Sequence, residues 1–251
     1  MALSKAKIKL IRSLELKKYR KEHRLFVAEG PKLVEEFMGY LECTLLVATK
    51  EWFAKYPQFN AHEKCVVDTE ELSRASFQKH PQQVVALFKQ PSYLIDPAVI
   101  QRELCLALDG VQDPGNLGTI IRIADWFGIE HIFCSPETVD VYNPKTIQAT
   151  MGGFARVQVH YTDLSELIKA NSNAPIYGTF LEGDVIYDCQ LEQKGLIIMG
   201  NEGKGVSKIL QSVVTKKLYI PNYPSDRQSA ESLNVAIATS IICSEFRRRS
   251  K

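Results

Sequence analysis

Between Ser4 and Tyr19 the apolar residues Ile8, Ile11, Leu14 or Leu16, and Tyr19 recur at near-helical spacing with Lys and Arg between them, which predicts a basic amphipathic helix. Leu25-Phe26-Val27-Ala28 then has the look of a short strand. Gly30-Pro31 followed by Leu33, Val34, Phe37 and Met38 predicts a turn and a helix. Leu45-Leu46-Val47 and Cys65-Val66-Val67 predict two strands with a helical stretch between them, and Val84 to Phe88 predicts another. After that the periodicity stops: residues 89–97 contain Pro91 and Pro97 and no repeat, the composition of a linker. From Leu104 onward apolar runs at 104–108, 129–133, 175–180, 195–199 and 217–220 alternate with helical stretches. Short, wholly apolar strands separated by helices predict a mostly parallel sheet covered on both faces. The expected organisation is a small α/β domain over residues 1–90, a linker over 91–100 and a larger α/β domain over 101–251.

Composition changes this picture mainly through charge. Of the 251 residues, 45% are hydrophobic and 24% charged, as in an ordinary globular chain able to bury a core. Residues 1–24 hold nine Lys or Arg against Glu15 and Glu22, a balance of +7. The rest of the chain carries 22 basic and 27 acidic side chains, or −5. A basic block at one end is either a solvated arm or a polyanion-binding surface. On the second reading, deleting residues 1–24 weakens nucleic-acid binding and its salt dependence. Apolar runs as short as Leu196-Ile197-Ile198-Met199 fall far below the ~20 residues that span a bilayer. The N-terminal lysines are followed by no continuous apolar stretch, so no secretory signal is expected and a cytoplasmic location is. The six cysteines form no CxxC pair and have no histidine partner at finger-like spacing. Neither a disulfide framework nor a metal site is expected; Cys105, Cys134 and Cys243 fit small buried hydrophobes.

Ligands of parallel sheets sit beyond the carboxyl ends of the strands, so the loops there are where chemistry is expected. Three are rich in Gly, Asn and Pro. The first, Asp109 to Gly118, leads into a helix whose Ile120, Ile123, Ala124 and Phe127 share a face that excludes Arg122. Its structural explanation is a Pro114-Gly115 turn, an Asn116 helix cap and an Arg122–Asp125 ion pair. The second, Met199 to Ser207, is glycine-rich, but Lys204 is followed by Gly205 where a Walker A loop needs Ser or Thr. Lys208 stands where a dinucleotide-binding loop needs its last glycine. Three glycines in six residues still allow a ligand close to the backbone. The third runs from Ile220-Pro221 to Ser232-Leu233-Asn234 and opens an apolar helix. Ser232 either caps that helix or, with Asn234, presents neutral hydrogen-bonding groups to a substrate.

In this order the three loops resemble the motifs of the SpoU/TrmH family of 2′-O-ribose RNA methyltransferases, in the SPOUT class. The first motif corresponds to Asn116–Arg122. The second corresponds to Gly200-Asn201-Glu202-Gly203 with Gly205, and the third to Ile220-Pro221 with Ser232-Leu233-Asn234. The resemblance covers about residues 104–246 and implies a sheet whose C-terminal part forms a trefoil knot, a small N-terminal RNA-binding domain, and a homodimer. It implies that S-adenosylmethionine is held largely by backbone, with Gly200, Asn201, Gly203, Ile220 and Leu233 as cofactor-binding residues. Asn116, Arg122, Glu202, Ser232 and Asn234 are the implied catalytic set, acting on ribosomal or transfer RNA. Arg122 then clamps a phosphate, because a guanidinium stays protonated. Glu202 organises the loop or a subunit contact rather than acting as the base. The stretch from Ile220 to Leu233, with Pro224, Asp226 and Arg227, is longer than the common form, and Gln82-Gln83 stand where many relatives carry a glycine. A non-enzymatic RNA-binding or ribosome-assembly factor with the same fold, and a base methyltransferase, are the competing expectations.

Overall fold

The structure, a computed structural model, describes residues 3–224 and 230–248; Asp226 and Arg227 of the long third loop lie outside them. The chain forms two compact units. One comprises the residues up to Ser92 together with Asp140–Arg156. The other comprises Tyr93–Val139 together with the residues from Val157 onward. Residues 140–156 therefore group with the N-terminal residues, although in the sequence they lie within the second half.

In the first unit the basic N-terminal stretch forms two helices rather than one, α1 (Lys5–Ser13) and α2 (Lys17–His23). The break has a physical cause. The last carbonyls of a helix have no intrahelical partner, and here Arg20 supplies one, its Nη1 donating to Leu14 O at 2.9 Å and Glu15 O at 2.7 Å. The same guanidinium donates to Asp140 Oδ2 through Nε at 3.0 Å and Nη2 at 2.6 Å, and Arg20 is only 2% exposed. Lys7 pairs with Glu63, and Ile11 and Leu14 are fully buried. The basic block is thus not a free arm. Its outward charges are Lys5, Lys9, Lys17, Lys18, Lys21 and Arg24.

The chain continues through β1 (Leu25–Glu29), α3 (Pro31–Met38), β2 (Cys43–Thr49), α4 (Lys50–Lys55), β3 (Glu63–Val67), α5 (Thr69–Ala75) and β4 (Val84–Lys89). The sheet order is β1-β4-β2-β3, with β4 antiparallel to β1 and β2, and β2 parallel to β3. Alternation along these strands gives two apolar faces. Val27, Val47 and Leu87 join Ile11 and Leu14 from the α1 region and Leu72 of α5 in one cluster. On the other face Phe26 lies 5.8 Å from Phe88 and 5.9 Å from Phe37 between ring centres. Tyr142 and Phe154 complete that face, 5.4 and 5.8 Å from Phe26. This aromatic cluster, with the Arg20–Asp140 pair and an Arg156–Glu36 ion pair at 2.9 Å, is what draws residues 140–156 to the first unit. Ahead of β4, Gln83 has φ +29°, a left-handed backbone that glycine adopts more readily.

The second unit contains β5 (Leu104–Leu108), α6 (Pro114–Trp126) and β6 (His131–Cys134). After the excursion into the first unit, which forms α7 (Pro144–Ala149), it resumes with β7 (Gln158–Tyr161) and α8 (Leu164–Lys169). β8 (Ile176–Phe180), β9 (Asp184–Val185), β10 (Gly195–Met199), α9 (Lys208–Gln211), β11 (Lys216–Tyr219) and α10 (Val235–Arg248) follow. Every pairing in this seven-stranded sheet is parallel, in the order β7-β6-β5-β10-β8-β11-β9. The central strands β5 and β10 are buried along their whole length, the pattern of a sheet covered on both sides. Leu196 and Ile198 pack with Leu164, Leu167 and Leu210 from α8 and α9, while α6 and α10 pack together and Phe246 of α10 meets Tyr177 of β8 at 4.9 Å. The expected strands recur with ends shifted by one or two residues. β7 and β9 were not expected: β9 has two residues, and β7 carries polar Gln158 and His160. Among the described residues no helix is long and apolar enough to cross a membrane. All six cysteines are buried as thiols outside any disulfide, and burial pushes the Cys105 thiol up to about 12.

Candidate active site at the switch of the parallel sheet

β5 and β10 are parallel neighbours whose chains leave in opposite directions, β5 toward β6 and β10 toward β11. A crevice opens beyond the strand ends wherever connections diverge in this way. The loops that leave it are the first two glycine-rich segments.

The first loop leaves β5 through Asp109 and Gly110, the latter at φ +76°. Asp113, not Asn116, caps α6: its Oδ1 accepts from Asn116 N at 2.8 Å, with Pro114 in the first helical position. An aspartate ahead of Pro114 and three residues before Asn116 is a recognisable start signal, one that a reading centred on asparagine passes over. With the cap supplied elsewhere, the Asn116 side chain is released for other work.

The second loop closes on itself. Asn201 N donates to Gly205 O at 3.0 Å and Gly205 N to Asn201 O at 2.9 Å. The Asn201 side chain accepts from Gly203 N at 2.9 Å and Lys204 N at 3.0 Å, and donates to Gly110 O at 2.6 Å. Asn201 is therefore the clasp that shapes the turn and ties it to the first loop. A Cβ at Gly200 would lie 2.3 Å from the Gly205 carbonyl carbon and 2.4 Å from Val206 N, so only glycine permits the turn. Asp109 adds a second tie, accepting from Ser207 N at 2.6 Å through Oδ2.

The third loop joins the others through Asn234, which is the residue that caps α10. Its Oδ1 accepts from Ala236 N at 2.9 Å and Ile237 N at 3.3 Å. Ser232 is exposed two residues earlier and is not the cap. Asn234 Nδ2 donates to Asn116 Oδ1 at 3.0 Å, and Asn116 Nδ2 donates to Glu202 Oε1 at 3.1 Å. A one-way chain of donors thus runs from a helix N-terminus through Asn116 to a carboxylate, fixing which way each amide points. Glu202 and Asn234 are exposed and Asn116 is half-buried, so each bond contributes about 1 kcal/mol. The gain is orientation.

Of the remaining expected site residues, Arg122 is exposed on α6 and among the described residues has no ion-pair partner; the pair with Asp125 does not form. Leu233 stands 51% exposed beside Asn234, and Ile220 is half-buried where β11 ends. Among the described residues no group of three or more His, Cys, Asp or Glu is placed to hold a metal ion.

Residues 103–244 match the SpoU rRNA methylase family, and residues 5–86 match an MRM3-like substrate-binding domain. Over 96% of both chains the sequence is 31% identical to the Bacillus subtilis 23S rRNA (guanosine(2553)-2′-O)-methyltransferase RlmP. A TrmH-family protein from Porphyromonas gingivalis superposes with a TM-score of 0.90 at 39% identity, covering 99% of this chain and 100% of that one. The S-adenosylmethionine-bound rRNA methyltransferase from Sinorhizobium meliloti does so with a TM-score of 0.84 at 33% identity, covering 99% and 96%. Three interlocked loops at the divergence of two parallel strands, and likeness along nearly the whole chain, place the protein in the SpoU rRNA methylase family.

Proposed function

We propose that the chain is an S-adenosylmethionine-dependent RNA methyltransferase that modifies a ribose 2′-hydroxyl of structured RNA, ribosomal or transfer. The observation that carries this reading is the Asn234–Asn116–Glu202 chain locking three strand-end loops together at the sheet's switch point. The named activity of the Bacillus subtilis relative and the S-adenosylmethionine-bound Sinorhizobium meliloti structure support it.

The donor set suits a flat nucleoside. Gly205 leaves open space, and at Gly203 a Cβ would meet only Asn201 Oδ1 at 3.7 Å, around a turn already braced by Asn201. Leu233, half exposed and next to Asn234 in the chain, offers an apolar surface for an adenine face. Gly200 and Asn201 hold the turn's shape, and Gly203, Ile220 and Leu233 supply the lining. When bound, S-adenosylmethionine supplies an electrophilic methyl group on a sulfonium.

The protein's own part is alignment and charge placement. Arg122, exposed and unpaired among the described residues, holds a phosphate beside the target ribose. Its part in this reading is electrostatic, with no proton transfer assigned to it. Asn116 and Asn234 each keep a second amide N–H, and with the Ser232 hydroxyl they orient the ribose oxygen. Glu202 fixes the direction of Asn116 by accepting from it.

Family membership also supports the knotted C-terminal segment, a cytoplasmic location and a homodimer. The exposed Trp126 of α6 and Ile237 of α10, 85% and 54% accessible on two helices that pack together, give the homodimer an apolar surface. The division into a small domain over 1–90, a linker over 91–100 and a catalytic domain beyond remains the functional proposal, with residues 140–156 added to the first by packing.

The test is transfer of labelled methyl from S-adenosylmethionine to ribosomal and transfer RNA from cells lacking the gene, followed by digestion to nucleosides. The expected product is a 2′-O-methylnucleoside. A base-methylated product transfers the chain to another chemistry. Absence of both methylation and cofactor binding leaves a non-enzymatic RNA-binding or ribosome-assembly factor.

A further inference from the structure

The first unit holds a groove of about 340 Å³ between the end of β1, the segment after α5 and helix α7, within the range of pockets that take small planar ligands. Its apolar walls include Phe77 and Pro144, and its polar lining is Glu29, Gln78, Lys145 and Gln148. The polar groups are arranged rather than scattered. Gln78 Nε2 donates to Gln148 Oε1 at 3.2 Å, joining the two rims and leaving Gln78 an acceptor oxygen and Gln148 an NH2 group. Glu29 is 6% exposed, and its carboxylate accepts from Ser76 Oγ and, at 2.9 Å, from Phe77 N. An ionised carboxylate has about four lone-pair directions, so acceptor capacity remains where it faces the groove. Lys145 is exposed and, among the described residues, its amine has no ion-pair partner; exposed Lys79 follows Gln78 in the chain.

We propose that this groove receives one unpaired nucleobase of the RNA, selecting bases that carry an exocyclic amino group, adenine, cytosine or guanine, over uracil. The inference rests on the reading of the chain as an RNA methyltransferase and deepens it. The chemistry follows from the lining. Phe77 and Pro144 give the base a surface to lie on, as single-stranded RNA recognition requires. The Glu29 carboxylate accepts from the amino group that uracil lacks, and the Gln78–Gln148 amides meet the rest of the base edge. Lys145 and Lys79 supply positive charge for the flanking phosphates. Burial raises the Glu29 carboxyl above its ordinary value despite hydrogen bonds from the Ser76 hydroxyl and the Phe77 and Gln78 backbone and the charge of Arg12. A carboxylate so poorly solvated gains from one more donor.

The test uses the full chain and fluorescein-labelled octaribonucleotides of adenine, cytosine or uracil, with a short RNA duplex as control, read by anisotropy. Adenine and cytosine octamers are expected to bind about tenfold or more tighter than the uracil octamer and the duplex. Glu29→Gln should bring the three octamers to within about threefold of one another. Gln148→Met, on the exposed rim, should weaken the adenine and cytosine octamers about fivefold without changing S-adenosylmethionine affinity measured by calorimetry. Thermal melting shows whether Glu29→Gln folds; if it does not, Gln148→Met decides. Equal binding of all octamers by the unaltered protein, tighter binding of the duplex, or wild-type ratios in the folded variants would overturn the proposal. A chain that methylates RNA yet shows no octamer preference loses the groove alone. A chain that binds no S-adenosylmethionine loses the enzymatic reading, while the octamers still decide the groove.

Discussion

Replacing Gly200 with alanine tests the turn proposed to hold the cofactor. The added Cβ would lie 2.3 Å from the Gly205 carbonyl carbon, 2.4 Å from Val206 N and 2.7 Å from Gly205 O, all main-chain atoms with no rotamer to yield. Relief requires the two strands of the turn to part, which breaks the Asn201–Gly205 bonds at 3.0 and 2.9 Å. At about 1 kcal/mol for each bond, with some loss from the strained Asn201 side-chain bonds, closing the turn becomes costlier by about 2–3 kcal/mol. If the cofactor binds only the closed turn, that is a loss of roughly 30- to 150-fold in affinity. The turn can open without unfolding the sheet, so the melting temperature should fall by less than about 10 °C. Titration calorimetry with S-adenosylmethionine, alongside a thermal melt, measures both. Gly39→Ala is the control: its Cβ meets nothing within 4 Å, so both quantities should stay at wild-type values. A Gly200→Ala protein that binds S-adenosylmethionine within about threefold of the unaltered chain would show that this turn does not shape the cofactor site.

Arg122→Ala should abolish methyl transfer, by about 100-fold or more, while leaving S-adenosylmethionine affinity nearly unchanged; single-turnover assays showing undiminished transfer would remove the guanidinium from the mechanism. Because α1 and α2 are built into the first unit, the basic block is better tested by charge than by deletion. Changing Lys5, Lys9, Lys17 and Lys21 together to Gln should reduce the slope of log affinity for RNA against log salt by up to about 3, and an unchanged slope would return these lysines to solvent. Gln83→Gly should raise the melting temperature slightly, reflecting at most ~1 kcal/mol of relieved backbone strain at φ +29°; a lowered melting temperature would show that the glycine's unfolded-chain entropy outweighs it. His160, 5% exposed and 3.3 Å from His131, is pushed down to about 4 by burial first and by His131 second. Its folded value lies below its unfolded one, so the stability it lends is fully present above about pH 6.5 and is lost as pH falls toward 4, about 3 kcal/mol in all. Denaturant titrations across that range should show the loss in the unaltered protein and a shallower one in His160→Gln; identical profiles would refute it.

Much of the second unit was legible because its strands are buried on both sides and therefore stand out as apolar runs. β5 and β10 begin and end where the sequence suggests. β7 was not, since an edge strand with Gln158 and His160 carries no such run. The strand order was invisible for a different reason: side-chain pattern records which face is buried, not which neighbour is paired. At the candidate site, the loops that glycine and asparagine positions single out are hydrogen-bonded to one another, but the local roles of their residues are exchanged. Asp113 and Asn234 cap the helices where Asn116 and Ser232 seemed suited, and freeing Asn116 is what allows it to link Glu202 to Asn234. A cap depends on one backbone torsion, which composition does not reveal. The N-terminal charge was counted correctly and misplaced in space, because a buried Arg20 is indistinguishable in sequence from an exposed one.

The excursion of residues 140–156 means that the polypeptide crosses between the two units three times, near 92, 139 and 156. A protease cut in the proline-bearing stretch around residue 93 would therefore nick the protein without releasing either half. A fragment beginning at residue 101 would carry Tyr142 and Phe154 stripped of Phe26 and Phe37, the rings they stack on in the intact chain. Such a piece would expose a greasy loop and tend to aggregate, so attempts to isolate the catalytic half by simple truncation would underestimate what it can do.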